Sequence, residues 1–281
     1  MIRLITTSIY IFAFLLLAGP ATVMAQDSLS VAPAAIEAAT PASAEAVVEE
    51  VAAVLDSGNT AWILVATILV MLMTIPGLAL FYGGLVRQKN ILSIIMQCLL
   101  CVGLISILWV SFGYSWVFGT SLMESGSAWG AIIGGSDKLF FNGMTLDTLT
   151  VGNIPEILFA LFQCMFAVIT PALIIGAFAE RIKFSGFLVF TVLWAILVYN
   201  PMAHWVWGGG WMQKMGAIDF AGGTVVHINA GVSALVMAIM LGKRKDYKPG
   251  RPTTPHNITF VFMGAALLWL GWFGFNAGSG L

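Results

Sequence analysis

The segment AGGTVVHINAGVSALVMAIMLGKRK, residues 221–245, decides the fold class of this chain. It opens with 21 residues that include no Asp, Glu, Lys or Arg, and after Gly242 it meets Lys243, Arg244 and Lys245 in succession. About 20 predominantly apolar residues are enough for a helix to cross the hydrocarbon core of a bilayer. The segment therefore predicts a transmembrane helix that ends at a basic loop.

The rest of the chain has the same character. Of its 281 residues, 59% are hydrophobic and 9% are charged, whereas about a quarter of the residues in a soluble domain are charged. Such a chain cannot cover a water-facing surface, and its net charge of −1 offers no basic surplus for nucleic acid. In a bilayer, its apolar segments can form helices, in which the backbone hydrogen bonds are all made internally. We therefore predict an all-α, polytopic transmembrane helical bundle, with six spans at about 61–85, 91–118, 155–179, 184–206, 221–241 and 257–279.

Basic residues are concentrated in alternate loops. Nine of the 12 Lys and Arg residues follow the first, third and fifth predicted spans, at 86–90, 180–183 and 242–256. The loops on the other side hold only Lys138 and Lys214. Cytoplasmic loops carry an excess of Lys and Arg. This pattern predicts that the three basic segments are cytoplasmic and that the mature N-terminus lies outside.

Residues 1–25 are typical of a secretory signal peptide. Arg3 supplies the positive charge, residues 9–18 form a short apolar core, and small residues at 23 and 25 precede a cleavage site before Gln26. An uncleaved first helix is the alternative, which the short apolar run disfavours. Residues 26–57, rich in Ala, Glu, Ser and Pro, predict a flexible acidic periplasmic arm. We thus expect a transmembrane domain over 58–281 in a bacterial inner membrane.

The three cysteines, Cys98, Cys101 and Cys164, all lie inside apolar segments. Their spacing fits neither a disulfide framework nor a metal knuckle. We interpret them as small buried apolar residues, and we expect no metal and no cofactor.

Polar groups inside the spans are the candidates for function, because they are costly in lipid. His227 lies in the fifth span, eight residues after Asp219, which is roughly 12 Å along a helix. A neutral imidazole can donate one hydrogen bond and accept one, although a packing role between helices is the alternative. Asp219 opens the fifth helix, where it either caps free N–H groups or stabilises a nearby cation. His204, near the outer interface, and His256, in a loop, are not expected in the pore.

Aromatic residues collect near the predicted outer end of the fourth span, at Trp205, Trp207 and Trp211. Indole faces attract cations, more strongly when partly desolvated. The alternative is the ordinary belt of aromatic residues at a membrane interface. Two further pairs are four residues apart on one helical face, and on position alone lipid-facing or core packing is the favoured interpretation: Phe162 with Phe166, and Phe275 with Ser279.

Five stretches in this order resemble the ammonium transporter (Amt/Mep/Rh) family, and the resemblance extends over about residues 58–281. They are TIPGLALFYGGLVRQKN (74–90), AFAERIK (177–183), AHWVWGGG (203–210), DFAGGTVVHINA (219–230) and GWFGFNAGS (271–279). The fourth stretch is the most specific of them.

The resemblance implies a role for each matching residue. Trp207, Phe166 and Ser279 would form an external ammonium recruitment site. Phe166 would also stack with Phe275 and gate the pore mouth. His227 would be the first of two facing pore histidines. Asp219 would support the outer site and the start of the fifth helix.

The resemblance also implies an architecture and partners. The family fold has two inverted five-helix halves and one further helix, and this chain would hold the first half and the sixth helix. We therefore expect further spans and the second pore histidine beyond Leu281. A homotrimer with one pore per subunit is implied. A cytoplasmic nitrogen-signalling protein of the PII class is the implied partner.

Together these features predict a transporter and not an enzyme. Ammonium would bind at the outer aromatic site and lose a proton, because a bare charge is costly in an apolar pore. Ammonia would then cross, with or without a separately relayed proton. A small neutral-solute channel of the aquaporin kind would need two Asn-Pro-Ala turns, and the chain has only Asn-Pro-Met at 200–202. An ammonium sensor of the same fold is the other alternative. A membrane hydrolase would need a motif such as His-Glu-x-x-His or Gly-x-Ser-x-Gly, and the sequence has neither.

Overall fold

The computed structural model describes residues 54–245, 247–250 and 254–281. The predicted signal peptide and nearly all of the predicted acidic arm lie outside the described residues. Within those residues, six helices are long and apolar enough to cross a membrane. We refer to them in chain order as the first to sixth spans: Ser57–Leu85, Gln88–Glu124, Glu156–Phe178, Phe184–Lys214, Gly223–Leu241 and Ile258–Ala277.

The first span begins at Ser57, earlier than the predicted residue 61, because Asp56 caps it. The Asp56 carboxylate accepts a hydrogen bond from Asn59 N at 2.8 Å, and Asp56 N donates to Asn153 O at 2.9 Å. The span is not one regular helix. It runs over Ser57–Leu72, passes through a π-helical stretch at Met73–Leu78 and continues over Ala79–Leu85. Ile75, directly before Pro76, has extended backbone angles, as expected for a residue that precedes proline.

The second and fourth spans are longer than predicted, because each continues through a π-helical stretch into further helical turns. In the second span a 3-10 turn at Gln88–Asn90 leads into Ile91–Leu108, and the elements that follow are Trp109–Gly113 (π), Tyr114–Phe118 and Ser121–Glu124. In the fourth they are Phe184–Trp194, Ala195–Tyr199 (π), Asn200–Trp207 and Trp211–Lys214. π-Helical stretches often occur at functional sites. The later part of the fourth span carries the tryptophans singled out from the sequence.

The segment between the second and third spans lies at the same end of the bundle as Trp207. It holds short 3-10 turns and a small antiparallel hairpin, in which Thr150 pairs with Ile154 and Leu149 with Pro155. The 3-10 turns are Ala128–Ala131, Leu139–Phe141 and Val151–Asn153, and the strands are β1, Leu149–Thr150, and β2, Ile154–Pro155. Apart from these four strand residues, the regular structure within the described residues is helical, which confirms the predicted all-α bundle.

The third span is the centre of the bundle. In its most apolar stretch 72% of the residues are buried, against 22–44% in the other five spans. It packs against the first, second and fifth spans. The outward-facing side chains are apolar, as a lipid environment requires; they include Ile68, Ile107, Val189, Ile239 and Phe262.

The sixth span packs closely on the first through small residues. A Cβ placed on Gly274 would lie 2.7 Å from Ala66 O, so only glycine permits this approach. Gly271 meets Leu69 O in the same way. Small residues let helix backbones approach closely in lipid, and the sixth span uses glycine in this way. Gly231 in the fifth span has no atom within 4 Å of such a Cβ among the described residues.

At the end of the bundle opposite Trp207, one carboxylate joins three segments. Glu180, whose side chain is 1% exposed, accepts hydrogen bonds from Arg87 Nε at 3.1 Å, Asn90 Nδ2 at 2.6 Å and Arg244 Nη1 at 3.0 Å. Burial alone would raise the pKa of Glu180. The hydrogen bonds from Asn90 and Arg87 and the charge of Arg87 outweigh burial, so the pKa lies below its ordinary value. This network fixes the basic loops to one another.

Candidate functional site

Trp207 is the last residue of the helix Asn200–Trp207 and is half-buried. Its indole Nε1 donates a hydrogen bond to Asp219 O at 2.9 Å. This bond ties the end of the fourth span to the start of the fifth. With its N–H engaged, the indole presents its π face to other partners.

A line of four aromatic rings leads from Trp207 into the bundle. The centroids of Trp207 and Phe166 are 5.9 Å apart in an edge-to-face arrangement. Phe166 and Phe275 are stacked with centroids 4.3 Å apart and planes at 27°. Phe275 then meets the ring of His227 edge to face at 5.7 Å. The three aromatic residues and the histidine predicted for the site are therefore contiguous.

The two phenylalanines of this line are closed against each other. Phe166 and Phe275 are each 1% exposed. Phe162, one turn before Phe166, adds an edge-to-face contact at 5.1 Å. A ring stack of this kind leaves no space between its members for an ion. Passage between them requires at least one ring to turn.

Asp219 organises the beginning of the fifth span. Its Oδ1 accepts hydrogen bonds from Gly222 N and Gly223 N, both at 2.7 Å, and its Oδ2 accepts from Thr224 N at 2.8 Å and Val225 N at 2.9 Å. Free N–H groups at a helix start require such acceptors. Both carboxylate oxygens are directed at the backbone. The geometry assigns Asp219 to capping the fifth helix and to holding Trp207 through its carbonyl oxygen.

Gly222 makes this start possible. Its φ of +84° lies in the left-handed region, which glycine adopts at little cost. A Cβ there would lie 2.7 Å from Val226 Cγ2 and 3.5 Å from Phe275 Cζ. The tight turn therefore brings the fifth span against the Phe275 ring.

His227 follows one turn further along. Its Nδ1 is 3.0 Å from Gly222 O. Because a carbonyl oxygen only accepts, Nδ1 carries a proton, and Nε2 of the neutral ring is a hydrogen-bond acceptor. The side chain is exposed on the described chain. The imidazole thus combines a fixed orientation with a free lone pair.

Ser279 joins the cluster through the backbone of the sixth span. Its Oγ donates to Phe275 O at 2.8 Å, and the residue is half-buried. A hydroxyl has one donor and two acceptor positions. Since the donor is used, the remaining capacity of Ser279 is that of an acceptor, which suits a ligand that carries N–H groups.

The other histidines and the cysteines lie outside this line. His256 Nδ1 is 2.8 Å from Val86 O at the Glu180 end. His204 is fully buried and contacts two backbone carbonyls beside the Trp207 helix. The three cysteines are buried and free. Sequence reasoning set His204 aside, and the contacts that make it notable join residues more than 70 positions apart.

Six apolar helices, with a line of rings that runs from one end of the bundle to a histidine, define a multi-pass membrane protein with a candidate permeation path. Similarity to known proteins identifies the family of membrane proteins to which the chain belongs. Residues 61–281 match the Ammonium Transporter Family, and the chain belongs to that family.

Similarity to individual proteins supports this family assignment. The chain is 51% identical over 228 residues to an ammonium transporter of Bacillus subtilis, which covers 81% of this chain and 54% of that protein. It is 50% identical over 230 residues to ammonium transporter 1 of Dictyostelium discoideum, covering 80% of this chain and 48% of that protein. The chain therefore spans about half the length of the curated relatives it matches.

Solved structures share the fold. Mep2 of Saccharomyces cerevisiae matches with a TM-score of 0.71 at 38% identity, over 80% of this chain and 49% of that one. A structure described as a sensor Amt protein matches with a TM-score of 0.70 at 32% identity, over 79% of this chain and 54% of that one. The relatives named as transporters are the more similar in sequence. No enzyme is among the relatives named here.

Proposed function

We propose that this chain carries the entry part of an ammonium-conducting pore, with an external recruitment site at Trp207 and a pore histidine at His227. The observation that carries the proposal is the unbroken line of ring contacts from Trp207 through Phe166 and Phe275 to His227. Family membership and the printed names of the relatives support ammonium as the substrate.

Recruitment rests on two groups that complement a small cation with N–H donors. The indole face of Trp207 attracts positive charge, and partial burial strengthens this attraction. The Ser279 hydroxyl donates to Phe275 O and so retains acceptor capacity for an ammonium N–H. Phe166 completes the site with its edge-to-face contact to Trp207. Asp219 supports the site by fixing Trp207 and stays engaged with its four backbone N–H groups.

The Phe166–Phe275 stack then acts as the gate. A hydrated ion cannot pass between rings whose centroids are 4.3 Å apart. A ring must turn, and the species that follows enters an apolar path where a bare charge is costly. Ammonium therefore gives up a proton near the gate, and neutral ammonia crosses. The proton either returns to the outer solution or is relayed separately.

His227 provides the first polar group beyond the gate. Its Nδ1–H is directed to Gly222 O, so Nε2 can accept a hydrogen bond from ammonia. An imidazole can also hold a proton for a short time. We expect a second histidine from a later part of the protein to face it, as the family resemblance implies.

The proposed orientation in the membrane follows from the charges of the loops. The Trp207 end faces outward, the mature N-terminus is periplasmic after removal of 1–25, and residues 26–57 form the acidic arm. The segments 86–90, 180–183 and 242–256 face the cytoplasm of a bacterium. We further propose a homotrimer in the inner membrane and a PII-class partner on the cytoplasmic side.

Reconstituted flux tests the proposal. The full-length gene product in liposomes is given an inward gradient of ammonium chloride, and internal pH and membrane current are recorded together. We expect a flux for ammonium that a matched glycerol or urea gradient does not produce. A current would indicate the relayed proton, and alkalinisation without current would indicate ammonia alone. Glycerol permeation with no ammonium-specific signal would favour a neutral-solute channel and refute the proposal.

A further inference from the structure

His204 occupies an unusual place beside the recruitment site. It is 0% exposed, and its two ring nitrogens face carbonyl oxygens of two different segments. Nδ1 lies 2.6 Å from Val117 O, at the end of the second span, and Nε2 lies 2.9 Å from Gly130 O, in the following loop. A neutral ring donates one of these bonds and a doubly protonated ring donates both. In either state the imidazole fills the space between the two carbonyls.

The backbone around His204 is tightly packed. His204 O accepts hydrogen bonds from Gly208 N and Gly210 N, both at 3.0 Å. A Cβ on Gly208 would overlap Val117 O and would lie 2.7 Å from His204 Nδ1. The turn that ends the Trp207 helix therefore packs against both the side chain and the main chain of His204.

Trp205 makes a second contact with the segment that follows the second span. Its Nε1 donates to Ile132 O at 2.9 Å, two residues beyond Gly130. We call the side chains of His204 and Trp205, together with the three carbonyls they contact, the clamp. It fixes the last turn of a helix to the segment 117–132. Helix ends fray without such partners.

Trp207 lies three residues after His204, on the same final turn. Its own attachment is the Nε1 bond to Asp219 O, and its ring contacts Phe166 at 5.9 Å. The clamp side chains do not touch Phe166, Phe275 or His227 through any ring contact or hydrogen bond of the described residues. Their influence on the path therefore passes through the position of the Trp207 helix end.

We propose that His204 is a positioning residue for ammonium recruitment, which holds the Trp207 indole over the entrance. The inference rests on the proposed function, because it assigns His204 an effect on the Trp207 site alone. Loss of the clamp lets the final turn move, so affinity for the cation falls. The rate at which bound substrate passes the gate stays the same.

The test measures uptake of radiolabelled methylammonium by the full-length gene product over a range of concentrations. His204→Gln cannot bridge two carbonyls on opposite sides, and Trp205→Phe removes the Nε1 bond while keeping an aromatic ring next to Trp211. We expect each to raise the apparent KM about fivefold, which corresponds to one hydrogen bond's net contribution, with maximal uptake per folded protein unchanged. His256→Gln is the matched control, because His256 also contacts a span-end carbonyl, at the opposite end. It is expected to leave KM unchanged.

A double-mutant cycle shows whether His204 acts through Trp207. In the Trp207→Leu background, His204→Gln should add no further rise in KM. An additive rise, or a fall in maximal uptake at constant KM, would overturn the inference. If His204→Gln does not reach the membrane, Trp205→Phe carries the test, and an unchanged KM there would overturn it. A wild-type KM for Trp207→Leu itself would refute the recruitment role, which is a different failure.

Discussion

Replacing Trp207 by leucine removes one ring from the line of four while preserving an apolar side chain. The change deletes the indole face, the edge-to-face contact with Phe166 at 5.9 Å, and the hydrogen bond from Nε1 to Asp219 O. The Phe166–Phe275 stack and His227 keep their own contacts. The substitution therefore separates capture of the cation from its passage.

The size of the effect follows from the burial of the ring. A desolvated cation–π contact contributes about 2 kcal/mol, and since each 1.4 kcal/mol is a factor of ten, the affinity should fall about 30-fold. Because Trp207 is only half-buried, this figure is an upper bound. The lost Nε1 bond costs about 1 kcal/mol of stability. That loss lowers the amount of folded protein, an effect removed by normalising uptake to folded protein, and with the indole gone the bond has no ring left to position.

The assay is methylammonium uptake against concentration, normalised to folded protein in the membrane. We expect Trp207→Leu to transport poorly at low concentration and to approach wild-type rates at high concentration. Trp207→Phe, which keeps a ring but has no N–H, should be intermediate. Trp129→Leu is the control, since its ring is 65% exposed at the same end of the bundle. Uptake reduced by the same factor at every concentration would show that Trp207 is not a binding surface.

Three other predictions concern orientation and stability. In the full-length gene product, a cysteine at Leu146, which is 74% exposed, should react with an impermeant thiol reagent added outside, and one at Lys245 should not; the reverse pattern would contradict the orientation. Gly222→Ala should lower the melting temperature, because a left-handed non-glycine residue costs about 1–2 kcal/mol. Gly231→Ala should not, because no atom of the described residues lies within 4 Å of an added Cβ there; equal melting temperatures for the two variants would refute the strain argument. The lowered pKa of Glu180 means that its stabilising contribution is present above its ordinary pKa of 4.5 and is lost as pH falls through the lower folded-state value. The melting-temperature difference between wild type and Glu180→Gln should therefore shrink below pH 4.5, and a constant difference would contradict it.

The sequence predicts the number of spans well, because burial in lipid requires long apolar segments and little else. All six predicted spans are present as helices within the described residues. Their ends are less accurate in the second and fourth spans. There the chain continues through π-helical stretches at Trp109–Gly113 and Ala195–Tyr199, which no hydropathy pattern encodes.

The candidate site depended on two kinds of information. Residue chemistry and position alone singled out His227, Asp219 and the cluster of Trp205, Trp207 and Trp211. Polar or aromatic groups at those positions in a membrane protein call for a structural or functional explanation. The choice of Phe166, Phe275 and Ser279 came from the family resemblance, since phenylalanines in a membrane helix are ordinary. Their stacking at 4.3 Å is a product of tertiary packing between the third and sixth spans.

The His204 clamp could not have been predicted from the sequence. His204 and Val117 are 87 residues apart, and His204 and Gly130 are 74 apart. Their contact depends on how the loop after the second span folds over the fourth. The three consecutive glycines at 208–210 were visible in the sequence. Only the position of Val117 O shows that Gly208 must lack a side chain.

Conduction of ammonia along the path from Trp207 to His227 is tested most directly by one comparison. The full-length gene product and its His227→Ala variant are reconstituted at equal density in liposomes, and ammonium-driven current and internal pH are recorded together. We expect the variant to assemble normally in the membrane, because among the described residues the His227 side chain makes a single hydrogen bond, to Gly222 O. We also expect ammonium conduction to be abolished or its selectivity to change sharply. Wild-type conduction and wild-type selectivity in His227→Ala would contradict the account and would leave His227 with a packing role.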